Sequence, residues 1–338
     1  MECFLRCYFE YFNSLPRNTL HDRRKRKHMV DYVSTLIEGC SKVEINADES
    51  AREAIKTILK YHEENKDDNG KICKMGKYHN ILYIAVKLCY DWQVKDAGTV
   101  SALLEEIYIC EKTFERIMIG AIFGNKAPHY IAGWKSDFET EEENLRAVVY
   151  FLDKANSARL ELCFGSESVE NMYRFIDLPI ESCGKASALK VCVQLGLPDK
   201  LLIFLRFGAK VYIENEDTTI FEHILNRLLE FNHVYPYNLV SCLQLLLRAC
   251  PRIKIDKPKE LSDSDYKVLC EKMYERYSVL IEDGLIPLTR CGISPPELKH
   301  LCRCVIRRKL WDNYELPNGI RVLHVPEKLW RYLDLLDD

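Results

Sequence analysis

The sequence is poor in the residues that punctuate loops and sheets. It holds 14 glycines and 12 prolines in 338 residues, too few for a loop-rich or all-β chain and in keeping with helices. Long apolar runs are missing too. The longest, Ile117 to Gly124, falls far short of the ~20 residues that span a bilayer, so no membrane partner is expected. Charge of one sign is absent: 48 Lys and Arg stand against 51 acids, which leaves no global basic field for nucleic acid. No Asn-x-Ser/Thr acceptor occurs, and Met1 to Tyr8 carries Glu2 and Arg6 where a secretory leader has an unbroken apolar core. The 15 cysteines include no Cys-x-x-Cys pair. They are expected to be reduced, mostly small buried hydrophobes of a protein that is cytoplasmic, with the nucleus as a second compartment.

Enzyme signatures are lacking as well. There is no His-Glu-x-x-His, no Gly-x-Gly-x-x-Gly, no phosphate-binding glycine-lysine loop and no Gly-x-Ser-x-Gly. Cys291, His300, Cys302, Cys304 and His324 invite a zinc reading. However, Cys302 and Cys304 on one helix point about 200° apart, a poor start for a tetrahedral site. The expectation is a non-catalytic protein with no cofactor and no metal.

What is present is helical. Apolar residues at 47% and charged residues at 29% are enough for a full core. Residues 1–50 read as an N-terminal extension with an aromatic patch (Phe4, Tyr8, Phe9, Tyr11, Phe12) and a basic run, Arg23 to His28. That run reads as a solvated helix face, with a nuclear import signal or an anion-binding patch as alternatives. Residues 51–290 then alternate apolar segments with polar breaks: Ala51–Tyr61, a polar loop from His62 to Lys77, Ile81–Tyr90, Val100–Ile109 and Phe114–Phe123. The acidic loop Asp137–Glu143 leads into Leu145–Leu152 and reads as solvated, or as a dock for a basic partner. Ser262 to Asp265 is placed to cap a helix over Tyr266 to Glu282.

One stretch shows that the helices repeat. From Ser187 to Val211 a short helix carrying Leu189, Cys192 and Val193 stops at Gly196, and a second, with Leu201, Leu202, Phe204 and Leu205, ends at Gly208-Ala209. This resembles an ankyrin repeat, a helix pair of about 33 residues that buries its apolar face only by stacking on neighbours. Ser187-Ala188-Leu189-Lys190 stands where the family has Thr-Pro-Leu-His. A second unit runs from Thr218 through Leu239–Ala249, with an insertion around Phe231–Tyr237 and Cys250 in place of the closing glycine. The repeats are clearest over 186–251.

Residues 291–338 carry the most specific pattern. Ser294-Pro295-Pro296-Glu297 reads as an N-cap, a first-turn proline and a capping box. Leu298, Leu301, Cys302, Val305 and Ile306 follow at helical spacing as one apolar stripe. On the other side lie His300, Arg303 and Arg307, expected to meet water or an acidic partner. After a break at Leu316-Pro317-Asn318-Gly319 comes Leu323-His324-Val325-Pro326-Glu327-Lys328-Leu329-Trp330-Arg331-Tyr332-Leu333.

This tail resembles a SOCS box, the C-terminal module of substrate receptors for cullin–RING ubiquitin ligases. The chain as a whole resembles the ankyrin-repeat and SOCS-box family, as a divergent member with degenerate repeats. The resemblance implies an all-α fold: an ankyrin-like stack of antiparallel helix pairs followed by a helical SOCS box. It implies that Leu298 and Cys302 anchor elongin-C, supported by Leu301, Val305 and Ile306, with elongin-B completing the pair. Leu323, Val325, Pro326, Leu329, Tyr332 and Leu333 would form the cullin-selecting half, for cullin-5 with its RING subunit. His324 replaces the first proline of that half's usual Leu-Pro-aliphatic-Pro. The target protein is not legible. The rival reading is a helical-repeat scaffold whose last helix merely caps the stack.

Overall fold

Short polar side chains set where the helices start. Asn46 accepts from the Asp48 amide at 3.1 Å, Thr140 from Glu143 at 3.0 Å, Ser187 from Lys190 at 3.3 Å and Thr219 from Glu222 at 3.1 Å. Each satisfies an amide that the first helical turn leaves unpaired. The computed structural model describes residues 2–14, 19–41, 46–66, 77–127, 136–164, 171–212, 219–254 and 263–338. They form two compact units, Met1–Ser182 and Cys183–Asp338. The class is all-α, as the composition implies.

The first unit contains α1 (Glu2–Ser14), α2 (Thr19–Ser41), α3 (Ala47–Glu64), α4 (Lys77–Asp91), α5 (Ala97–Glu111), α6 (Glu115–Phe123) and α7 (Glu141–Ser157). A small antiparallel ribbon follows, β1 (Glu161–Phe164) with β2 (Asn171–Arg174), Leu162 opposite Tyr173. That ribbon has no counterpart in the sequence reading, because four-residue strands are too short for alternation to register. The first 50 residues, read as an extension, are built into the unit: Leu5, Phe9, Val33 and Ile37 are fully buried. Helix α3 also runs past the expected polar break, so that His62 lies in its last turn.

The two charge runs of this unit answer each other. Arg26 on α2 is buried and meets Asp137 through two hydrogen bonds of 2.7 and 2.8 Å, with a third to Asn80 at 2.7 Å. Lys27 reaches Glu139 at 2.6 Å, and Arg23 donates to the Phe138 carbonyl at 3.2 Å. The basic run is therefore not a solvated face throughout, nor is the acidic loop free for an outside partner. Planar guanidinium and carboxylate satisfy one another where either alone would be stranded.

The second unit holds the repeats. Helices α8 (Ala188–Leu195) and α9 (Pro198–Arg206) make one pair, and α10 (Ile220–Leu229) and α11 (Tyr237–Ala249) the next. Helix α8 packs on α10, and α9 on α11. Ser187 caps α8 and Thr219 caps α10, so the degenerate Ser-Ala-Leu-Lys start keeps the one hydroxyl the turn needs. Gly196 closes α8 with φ +64°. The stack continues through α12 (Asp263–Glu282) and α13 (Leu288–Cys291). Ser262, expected to cap α12, lies outside the described residues.

The cysteines divide differently from expectation. Among the thirteen described as free, Cys89, Cys192, Cys242, Cys250 and Cys291 are buried, and the rest are half-buried or exposed. Burial pushes the Cys89, Cys192 and Cys250 thiols well above the ordinary range, since a thiolate there would lose its hydration.

Removing one partner of the buried pair leaves the other charge uncompensated. Arg26→Ala is expected to cost the first unit about 3–5 kcal/mol, read as a lower urea midpoint, whereas Lys27→Ala at the exposed Glu139 pair leaves the midpoint unchanged.

Candidate functional site

The C-terminal helices are α14 (Leu298–Asp312) and α15 (Glu327–Leu333), joined by a 3-10 turn over Asn318–Val322. Helix α14 starts three residues later than the expected box. Glu297 is its N-cap in extended conformation, and no side chain caps it. Two causes act together. Pro296 disfavours helical geometry at Pro295, and the Glu297 carboxylate is taken by Arg290 at 2.7 Å and Thr289 at 3.2 Å. Those bonds hold its pKa down to about 2.

The helix lies with its polar side inward. His300, Arg303 and Arg307 are 2%, 3% and 7% exposed, so the expectation that they face water is corrected. Arg307 donates to the Leu205 carbonyl at 2.6 Å and to the Leu333 carbonyl at 2.8 Å. These carbonyls sit at the last turns of α9 and α15, where helix ends leave acceptors unsatisfied and carry partial negative charge. Burial pulls the Arg307 pKa down to about 10, with Asp334 nearby opposing the drop, so it remains charged at neutral pH. His300 donates through Nε2 to the Cys250 carbonyl at 2.9 Å and accepts at Nδ1 from Arg303 at 3.1 Å. Arg303 also donates to the Asp337 carbonyl at 3.3 Å.

The tail closes the same clamp. Arg206 pairs with Asp334 through bonds of 3.0 and 2.6 Å, and Arg248 with Asp338 through 2.8 and 2.6 Å. The Tyr332 ring lies under the Lys299 ammonium at 4.0 Å and the Arg303 guanidinium at 4.1 Å. Gly208, at φ +84°, lets α14 approach the end of α9: a Cβ there would sit 2.5 Å from the Trp311 ring.

The apolar stripe faces out. Leu298 is 77% exposed and Val305 61%; Cys302 is exposed, and Leu301 and Ile306 are half-buried. Ile293, just upstream and 45% exposed, extends the patch and was not singled out in the sequence. A helix that buries cations and displays leucine and valine inverts the usual amphipathic arrangement, and exposed apolar patches of this kind are the usual form of interaction surfaces.

The second half of the tail divides. Leu333 belongs to a small core with Leu310, Leu316 and Ile320, against which Ile306, Leu323, Val325 and Trp330 pack. Tyr332 is buried, while Pro326, Leu329 and His324 are exposed. Six residues that read as one motif are thus three surface or rim positions around a buried pair, with Val325 between. As for a metal, the His300 nitrogens are engaged as above, and among the described residues no group of His, Cys, Asp and Glu is placed to hold one. Nor is any helix among them long and apolar enough to cross a membrane.

A family model of the SOCS box matches residues 294–334, the segment just described. Ankyrin repeat and SOCS box protein 17 of Canis lupus familiaris is 36% identical over 118 residues, covering 30% of this chain and 39% of that protein. The Bos taurus protein of the same name shows the same identity and coverage. The Homo sapiens one is 50% identical over 50 residues, 15% of this chain and 17% of its own. The chain thus matches about two fifths or less of the length of these relatives. No solved structure matches it significantly.

Two stability outcomes follow. Arg307→Ala orphans two buried carbonyls and is expected to cost about 2–4 kcal/mol, whereas Leu298→Ala with Val305→Ala shifts the thermal midpoint little, because neither side chain packs in a core. Acid is expected to weaken the clamp through His300. Burial, and the nearby Arg290 and Arg303, lower its pKa despite the bond to Cys250. An unfolded imidazole gains its proton as pH falls through about 6.5, and the folded one resists until lower pH. Stability is therefore complete above 6.5 and falls below it. The drop in thermal midpoint between pH 7.5 and 5.5 should be smaller in His300→Gln than in the parent.

Proposed function

We infer, from the SOCS-box match over residues 294–334 and the likeness to ankyrin repeat and SOCS box protein 17, that this chain is an ankyrin-repeat and SOCS-box protein and a substrate-recognition adaptor of an elongin B–C/cullin–RING ubiquitin ligase. The observation that supports this most is the outward apolar stripe on a helix clamped from behind. In this reading Leu298 and Cys302 enter a groove of elongin-C, with Leu301, Val305 and Ile306 around them and elongin-B bound beyond. The cullin, cullin-5 by the pattern of the second half, is met by Pro326 and Leu329 with Leu323 and Val325 at the rim. Tyr332 and Leu333 hold that surface from beneath. The compartment is the cytoplasm, where such ligases and reduced thiols are at home.

The target protein lies against the repeats. The open side of α8 and α10 carries a groove of about 410 Å³ lined by Gln194, Glu222, His223, Asn226, Arg227 and Glu230, polar enough to read side chains. For the transfer of ubiquitin, the chain supplies no catalytic group of its own in this reading. It raises the concentration of the target's lysines near the ubiquitin thioester, and tethering of this kind reaches roughly millimolar effective values.

The scaffold reading has one observation in its favour: α14 covers the ends of α9 and α11 through Arg307 on Leu205 and His300 on Cys250, and the last residues add the pairs Arg206–Asp334 and Arg248–Asp338. A cap, however, has no use for an exposed apolar stripe. Removal of residues 291–338 does not separate the readings, since it uncovers the repeat in both.

Co-expression with elongin B and elongin C, followed by size-exclusion chromatography, separates them. A 1:1:1 complex is expected. A buried leucine contributes about 1.5–3 kcal/mol, so Leu298→Ala should weaken the complex roughly 10- to 100-fold. Leu298→Ala with Cys302→Glu should abolish it, since a buried carboxylate adds its desolvation cost. A soluble chain that ignores the elongins would sink the adaptor reading.

A further inference from the structure

Helix α3 packs against α5 in the first unit, and the last turn of α3 and the last two turns of α5 bring three chemically paired side chains together. His62 is fully buried. Its Nδ1 lies 3.0 Å from Glu106 Oε2 and its Nε2 lies 3.5 Å from Cys110 Sγ. Cys110 is half-buried, so solvent reaches the residue. Glu106 is itself fixed by Lys66 at 2.7 Å, and Lys66 also pairs with Glu63. A thiol beside an imidazole, with that imidazole oriented by a carboxylate, is the arrangement that activates cysteine nucleophiles. Nothing in the adaptor reading uses it.

We propose that Cys110 is a nucleophilic thiol activated by His62 and positioned by Glu106, and that it forms mixed disulfides with low-molecular-weight disulfides. Nε2 takes the Sγ proton, and the thiolate attacks one sulfur of the reagent. The new S–S bond forms as the reagent's own S–S bond breaks; Cys110 is oxidised, the departing sulfur is reduced, and it leaves with the proton from Nε2. The small disulfide is the oxidant, and no other co-reactant is needed.

The charges around the ring support this direction. Burial alone would lower the His62 pKa, but its hydrogen bonds to Cys110 and Glu106 carry it above the ordinary value. His62 also sits in the last turn of α3, where the helix end favours a cation. Cys110 sits in the last turn of α5, which by itself disfavours a thiolate, so the imidazolium must supply the stabilisation. The buried thiols Cys89, Cys192 and Cys250 differ, because burial is the largest influence on them and raises their pKa values. The inference stands apart from the ligase reading, and either can fail alone.

The test uses the full chain, iodoacetamide and peptide mass mapping of each cysteine from pH 5.5 to 9. Cys163, exposed on β1, serves as the internal reference. The expected result is an alkylation midpoint for Cys110 at least one pH unit below that of Cys163, moving back towards it in Glu106→Gln. At pH 7 a thiol titrating two units below an ordinary one near 8.5 holds about 25-fold more thiolate and is about tenfold less nucleophilic. Glutathione disulfide at pH 7 should therefore mark Cys110 about two- to threefold faster than Cys163. A Cys110 midpoint at or above that of Cys163, an unreactive Cys110, or a Glu106→Gln profile identical to the parent would each overturn the proposal. Glu106→Gln keeps the side-chain shape, and the parent profile decides the matter even if that variant folds poorly.

Discussion

The C-terminal half of the molecule depends on the burial of one guanidinium. Arg307 bridges the end of α9 and the end of α15 through the Leu205 and Leu333 carbonyls. Two helix termini that would otherwise expose unsatisfied acceptors are closed by a single side chain. Asp334, paired with Arg206 at 2.6 Å, lies close enough to offset part of the cost of burying the charge. With α14 held from this side, its other face is left to the solvent. The display of Leu298, Cys302 and Val305 is a consequence of where the arginines went.

This also explains how the sequence could show the stripe and mislead about its opposite face. Five apolar residues at helical spacing mark a helix and one of its sides. Periodicity does not say whether that side meets the chain's own core or another protein. The usual inference, apolar inward and charged outward, assumes that the side of a helix facing the core is its apolar one, and in α14 the side facing the core is polar. Arg303 and Arg307 look like solvated charges until the carbonyls of residues 205, 333 and 337 are seen beside them. Nothing local to α14 announces those partners.

Elsewhere legibility followed the same division between local and distant causes. The glycine stops at Gly196 and Gly208, the hydroxyl cap at Ser187 and the pairing of α8 with α9 were readable because each rests on neighbours within a few residues. Arg26 and Asp137 stand 111 residues apart, and two opposite charge runs in one sequence carry no sign that they meet. His62, Glu106 and Cys110 come from two helices and share no spacing, so only packing assembles them. Even the Ser294–Glu297 box, a local signal, lost to a local competitor: Arg290, seven residues upstream, holds the carboxylate that would have closed it.

A polar inner face also solves a problem that an apolar one would create. Leucine and valine pack against many surfaces with similar energy, so a helix apolar all round could rotate and bury its outer stripe against its own repeats. Hydrogen bonds do not tolerate such rotation. Turning α14 by one residue, about 100°, would take Arg307 away from both carbonyls, His300 from Cys250 and the Arg303 guanidinium from the Tyr332 ring. Each loss leaves a buried polar group without its partner, at about 1–3 kcal/mol or more for a charge. The buried cations therefore fix the rotation of the helix, and the fixed rotation keeps an apolar surface facing water that the fold would otherwise absorb.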